Sequence, residues 1–129
     1  MGKINRKIKA LVVEDVSIAK HLVKRYLEKI GFETIFEADD GEQALQILRK
    51  EDIGLIISDW MMPKLDGLEL LKRVRSDDEL KNIPFIMATA LGQKPQILEA
   101  IRAGAADYIV KPLSVPALED KIKQVFENR

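Results

Sequence analysis

The sequence predicts an α/β domain, a doubly wound five-stranded parallel sheet covered by five helices. Three observations predict it. Short apolar runs alternate with longer stretches of helical period along the whole chain. Runs such as Leu55-Ile56-Ile57 lack polar alternation, as strands covered on both faces do. Gly, Asp or Pro also marks many of the junctions between them, as at Gly31, Asp40-Gly41, Asp66-Gly67, Pro84 and Gly104.

The first strand is expected over Ile8 to Val13, too continuous in apolar character to have a wet face. A helix follows from about Ser17 to Ile30, with Ile18, Leu22, Tyr26 and Ile30 at i, i+4 spacing and Ala19, Val23 and Leu27 beside them. Gly31 stops it. Glu33 to Ala38 is a weaker second strand, and Asp40-Gly41 opens a helix that buries Ala44, Leu45 and Leu48. Ile53 to Ser58 forms the third strand. The third helix follows Asp66-Gly67, with Asp66 as its cap and Leu68, Leu71 and Val74 on one side. Pro84 introduces the fourth strand, Phe85 to Ala88. The fourth helix lies within Pro95 to Ala103; on it Leu98 and Ile101 are expected to serve the core while Ile97 points partly elsewhere. Tyr108 to Val110 is the fifth strand, and Val115 to Phe126 the last helix. No internal repeat, low-complexity segment or linker interrupts the pattern, so one domain fills residues 1–129.

Bulk properties exclude several function classes. Lys plus Arg and Asp plus Glu both number 21, a balance that argues against direct nucleic-acid binding. There is no Cys, hence no disulfide, thiolate catalysis or Cys-based zinc site. His21 is the single histidine, expected on the surface without a role. No apolar run approaches the roughly 18 residues of a membrane span, and no signal-type stretch follows the basic start, so no membrane insertion and a cytoplasmic location are expected.

In open α/β sheets the chemistry sits beyond the carboxyl ends of the strands. The residues there are Glu14 and Asp15, then Asp59, Thr89 and Lys111. Three carboxylates, a hydroxyl and an ammonium are expected to meet at one edge. A pair of like charges at about 4 Å costs about 4 kcal/mol at an effective dielectric of 20. That repulsion must be relieved by protonation, by Lys111 or by a bound cation. Oxygen-only ligands with room for several waters suit Mg²⁺. A carboxylate in such a place can attack a phosphoryl group without a general base, since it has no proton to lose.

These residues closely resemble the receiver domains of bacterial two-component response regulators. The matching pieces are Glu14-Asp15, Ser58-Asp59-Trp60-Met61-Met62-Pro63, Asp66-Gly67, Thr89-Ala90 and Lys111-Pro112, spread over a core of about residues 7–127. Ser58-Asp59-Trp60 and Gly67 to Lys72 look most like the stand-alone chemotaxis members. The resemblance implies a flavodoxin-like receiver fold and a phosphorylation-activated switch in which Asp59 is the phosphoacceptor. It implies that Asp15, Asp59 and the Met61 backbone carbonyl ligate Mg²⁺, with Glu14 acting through water. Thr89 and Lys111 contact the phosphoryl group, Thr89 and Tyr108 form the switch pair, and Lys111-Pro112 is cis. Lys94, Ile97, Tyr108 and Lys121 are candidates for the output face.

The implied partners are a sensor histidine kinase and a downstream target such as a flagellar motor switch component, with the chain a monomer or a weak phosphorylation-dependent dimer. No output domain is expected after the last helix. The alternatives are a receiver fragment of a larger regulator and an aspartyl-phosphate phosphatase-type enzyme. That enzyme class pairs its nucleophile with a second Asp two residues on, where this chain has Met61. Two departures stand out. The first acid is Glu14 rather than Asp, and Met61 and Leu91 are apolar where the chemotaxis proteins are usually polar, which is expected to lengthen the phosphoryl lifetime.

Overall fold

The computed structural model describes residues 7–127. The elements run β1 (Lys9–Val13), α1 (Ser17–Ile30), β2 (Ile35–Ala38), α2 (Gly41–Lys50), β3 (Ile53–Ser58), α3 (Gly67–Ser76), β4 (Phe85–Thr89), α4 (Lys94–Arg102), β5 (Asp107–Val110) and α5 (Val115–Glu127). The strands form one parallel sheet in the order β2-β1-β3-β4-β5. Strand order reverses between β1 and β3, so the loops after these two strands flank the switch point.

Alternation along the strands sorts side chains onto two faces. Leu11, Val13, Ile56, Phe85, Met87 and Tyr108 pack with α2, α3 and α4. Ala10, Val12, Leu55, Ile57, Ile86, Ala88 and Ile109 pack with α1 and α5. Both faces are covered, which accounts for the apolar runs. Each fully buried Leu, Ile or Phe contributes about 1.5–3 kcal/mol.

The helix ends follow local chemistry. The Asp40 carboxylate accepts from Gln43 N–H at 2.9 Å and starts α2, and Asp66 accepts from Glu69 N–H at 2.9 Å and starts α3. Gly31, at φ 119°, closes α1 in the left-handed region, where its N–H donates to Leu27 and Glu28 carbonyls. Gly104, at φ 111°, ends the turn after α4.

Two helix faces differ from the sequence expectation. In α1 the buried row is Val23, Leu27 and Ile30, whereas Ile18 is 81% and Leu22 45% exposed. Neighbouring positions on a helix are about 100° apart, so packing through Val23 and Leu27 turns Ile18 and Leu22 outward. In α4, Ala100 is fully buried and Ile97 packs on the core, while Leu98 and Ile101 are exposed. The small Ala100 side chain lets α4 approach the sheet, and that approach places the two larger residues on the far side. The edge strand β2 is also shorter than its pattern, because Glu33 and Thr34 are exposed ahead of its pairing with β1.

Candidate functional site

Parallel pairing brings the carboxyl ends of β1, β3, β4 and β5 to one edge. The sheet pattern extends one step past β3, where Asp59 N–H donates to Val13 O at 2.9 Å, and past β5, where Lys111 N–H donates to Thr89 O at 2.9 Å. Asp59 and Lys111 are therefore held by the sheet itself. Thr89 is the last residue of β4 and is almost fully buried.

Lys111 sits between two carboxylates. Its ammonium donates to Glu14 Oε1 at 2.5 Å and to Asp59 Oδ2 at 3.0 Å. The other Asp59 oxygen, Oδ1, accepts from Trp60 N–H at 2.6 Å. Glu14 Oε2 accepts from Val16 N–H at 3.2 Å, and only 3% of Glu14 is exposed.

These contacts split the two carboxyls. Burial pushes Glu14 above the usual carboxylate value, and the Asp59 charge adds to that, against the bonds from Lys111 and Val16. Burial works to raise Asp59 as well, but hydrogen bonds with Thr89 and Lys111 and the Lys111 charge outweigh it and hold Asp59 below the usual value. Desolvation works against the Lys111 ammonium, yet its bonds to Glu14 and Asp59 raise it above the ordinary lysine value. The result is an ionised Asp59 beside a firmly charged Lys111.

The expected meeting of three carboxylates is only partly met. Glu14 and Asp59 share Lys111, whereas Asp15 is exposed and lines an open groove with Trp60, Met61, Asp66 and Leu91. Among the described residues no group of three or more His, Cys, Asp or Glu side chains stands together as a metal cage. Lys111 thus neutralises much of the repulsion that sequence reasoning left open between proton, lysine and cation. The donors that remain are two carboxylates, Asp15 and Asp59, and the Met61 carbonyl. They are hard oxygens with space for water, the donor chemistry that fits Mg²⁺.

Tyr108 lies in the core at 7% exposure, and its hydroxyl donates to Leu91 O at 2.6 Å. It is thereby tied to the β4–α4 loop, whose Leu91 N–H donates to Thr89 Oγ1 at 3.4 Å. Tyr108, one of the output-face candidates, is thus buried in this conformation. Lys94 is exposed, Ile97 is half-buried, and Lys121 pairs with Asp107 at 3.2 Å. Lys111-Pro112 is cis. His21 is exposed and lies 3.3 Å from Glu37.

Sequence reasoning missed two contributors. Gly67 backs directly onto the loop after β3 that carries Asp59, its N–H donating to Trp60 O at 2.7 Å. Its place in the Asp66-Gly67 pair is a signal for a helix start and for nothing more specific. Gln96 and Glu99, spaced i, i+3 on α4, line the groove beside Asp15 and Met61.

An aspartate at the switch point of a doubly wound sheet, held by lysine and flanked by a buried threonine, is chemically equipped to accept a phosphoryl group. The chain belongs to the response regulator receiver domain family, whose model matches residues 10–123. Among curated proteins it is 43% identical to chemotaxis protein CheY-3 of Vibrio cholerae, over 97% of this chain and 96% of that one. It is 40% identical to chemotaxis protein CheY of Pseudomonas aeruginosa, over 94% and 98% of the two chains. The fold matches CheY4 of Vibrio cholerae with a TM-score of 0.85 at 30% identity, covering 92% of this chain and 98% of that chain. A putative response regulator from Chloroflexus aurantiacus matches with a TM-score of 0.88, also at 30% identity, over 94% and 98%. The single-domain receiver fold expected from the sequence is the fold observed.

Proposed function

We propose that this protein is a chemotaxis-type response regulator that takes a phosphoryl group on Asp59 from a sensor histidine kinase. The observation that carries this reading is Asp59 bonded to Lys111 and placed beside the buried Thr89 at the ends of three adjacent strands. An Asp59 oxygen forms the bond to phosphorus as the bond from phosphorus to the donor's imidazole nitrogen breaks. Lys111 and the Thr89 hydroxyl then hold phosphoryl oxygens. Mg²⁺, bound by Asp15, Asp59 and the Met61 carbonyl with Glu14 acting through water, would neutralise charge on the transferring oxygens.

Transfer of Lys111 and Thr89 to the new anion alters the environment of the Leu91 loop, to which Tyr108 is bonded. This couples the site to a surface made by α4, β5 and α5, where Lys94, Ile97 and Lys121 are joined by the exposed Leu98 and Ile101. A target such as a flagellar motor component would read that surface. The protein on this reading catalyses only its own phosphorylation and dephosphorylation. A cytoplasmic location agrees with the finding that, among the described residues, no helix is long and apolar enough to cross a membrane.

The test is incubation with acetyl phosphate and Mg²⁺. A stoichiometric gain of one phosphoryl mass, absent in Asp59→Asn, is the expected outcome. Continuous turnover of an added phosphoester, or labelling that survives Asp59→Asn, would overturn the reading.

A further inference from the structure

We infer that Glu14 is a positioning residue for Lys111, drawing the ammonium off the attacking carboxylate so that Asp59 can reach phosphorus. This rests on the proposed role of Asp59 and goes beyond a water-mediated hold on a metal.

The geometry is specific. Lys111 lies closer to Glu14 Oε1, at 2.5 Å, than to Asp59 Oδ2, at 3.0 Å. Glu14 is the more deeply buried of the two, with 3% of its side chain exposed against 13% for Asp59. Its second oxygen is fixed by Val16 N–H, so the carboxylate is aimed rather than free to swing. Asp15, its neighbour in sequence, is exposed and turned into the open groove. The two acids after β1 therefore point to different tasks, Asp15 toward solvent and Glu14 toward the lysine.

The chemistry follows from competition for one ammonium. Asp59 Oδ1 already accepts from the Trp60 N–H. If Lys111 bonded to Asp59 alone, both oxygens would be strongly engaged, and the lone pairs needed for attack would be less available. Glu14 offers a second buried countercharge. It keeps Lys111 close and only partly committed to Asp59, ready to move onto an arriving phosphoryl oxygen. Glutamate reaches Lys111 Nζ from the end of β1 in this arrangement.

The experiment measures the phosphorylation rate from acetyl phosphate by mass spectrometry, with Mg²⁺ at concentrations that saturate the Trp60 fluorescence change of each variant. Glu14→Gln keeps size and hydrogen-bonding capacity but removes the charge. It is expected to slow phosphorylation about tenfold, the loss of roughly one charge-assisted contact. Glu14→Asp, which keeps the charge without the reach, is expected to fall between Glu14→Gln and wild type. With Lys111 replaced by Met, the Glu14→Gln change is expected to have no further effect, read over long incubation. Should Lys111→Met take up no phosphoryl group, the same comparison is read from the rate of beryllofluoride binding to that background, followed by Trp60 fluorescence.

A Glu14→Gln rate that returns to wild type once Mg²⁺ saturates would overturn the inference, since Glu14 would then act only through the metal. The same slowing in the absence of the Lys111 ammonium would overturn it too, as a general structural effect. Failure of wild type itself to take up phosphoryl would instead refute the function proposed for Asp59.

Discussion

Replacement of Gly67 by alanine should disable the site from behind. A Cβ at this position would lie 2.0 Å from Asp59 O, 2.8 Å from Trp60 Cα and 2.9 Å from Asp59 C. All three are backbone atoms, and they are held in place by Asp59 N–H to Val13 O and by Gly67 N–H to Trp60 O. The turn must open by about 1 Å, an overpacking strain of about 1–3 kcal/mol. Weakening the 2.7 Å Gly67 bond adds about 1 kcal/mol. Lower entropy of the unfolded chain returns about 0.5–1 kcal/mol, leaving a net loss of about 2–3 kcal/mol. For a domain of this size that is a fall in Tm of roughly 8–15 °C. Thermal melts followed by circular dichroism measure it, with phosphorylation from acetyl phosphate slowed in parallel because Asp59 is displaced. Gly92→Ala is the control. Its nearest neighbour would be Val110 Cγ1 at 3.1 Å, on a side chain that is 43% exposed and can yield. That variant should stay within about 0.5 kcal/mol of wild type. A Gly67→Ala protein that melts within about 2 °C of wild type would refute the steric reasoning.

Asp66→Ala removes the side-chain acceptor at the start of α3 and should lower stability by about 1 kcal/mol in urea titrations, with phosphorylation retained. The raised Lys111 ammonium contributes stability that is fully present below the unfolded lysine value of 10.5 and is lost as pH rises through its higher folded value. Melts taken across alkaline pH should therefore show a loss above 10.5 in wild type that Lys111→Met lacks. Met61→Asn and Leu91→Glu, separately and together, should shorten the phosphoryl lifetime by admitting and orienting water beside Asp59, as followed by loss of the added mass with time. An unchanged decay rate would remove these two side chains from the account of hydrolysis.

Much of the architecture was legible because the sheet is buried on both faces. Runs such as Leu55-Ile56-Ile57 can only be central strands, and the residues that follow such runs fall at one edge. Asp59, Thr89 and Lys111 were located in that way. Helix faces were less legible. The contact that seats α4 is made by Ala100, a side chain too small to announce itself beside Leu98 and Ile101. In α1 two apolar rows lie side by side, and only docking against the sheet selects Val23 and Leu27 over Ile18 and Leu22. The division of labour between Glu14 and Asp15 was hidden for a related reason. Adjacent residues leaving a strand point to opposite sides, so adjacency in sequence does not mean a shared site. The bond from Tyr108 to Leu91 O joins β5 to the β4–α4 loop and leaves no local pattern.

At the opposite end of the sheet, Arg75 donates from Nε to Gly104 O at 2.9 Å and from Nη1 to Lys81 O at 3.0 Å and Ile83 O at 2.7 Å. One guanidinium thus rivets the entrances of β4 and β5 to the end of α3. The two strands whose far tips carry Thr89 and Lys111 share a fixed footing. Movement at their tips would on this footing be taken up in the loops that lead to α4 and α5.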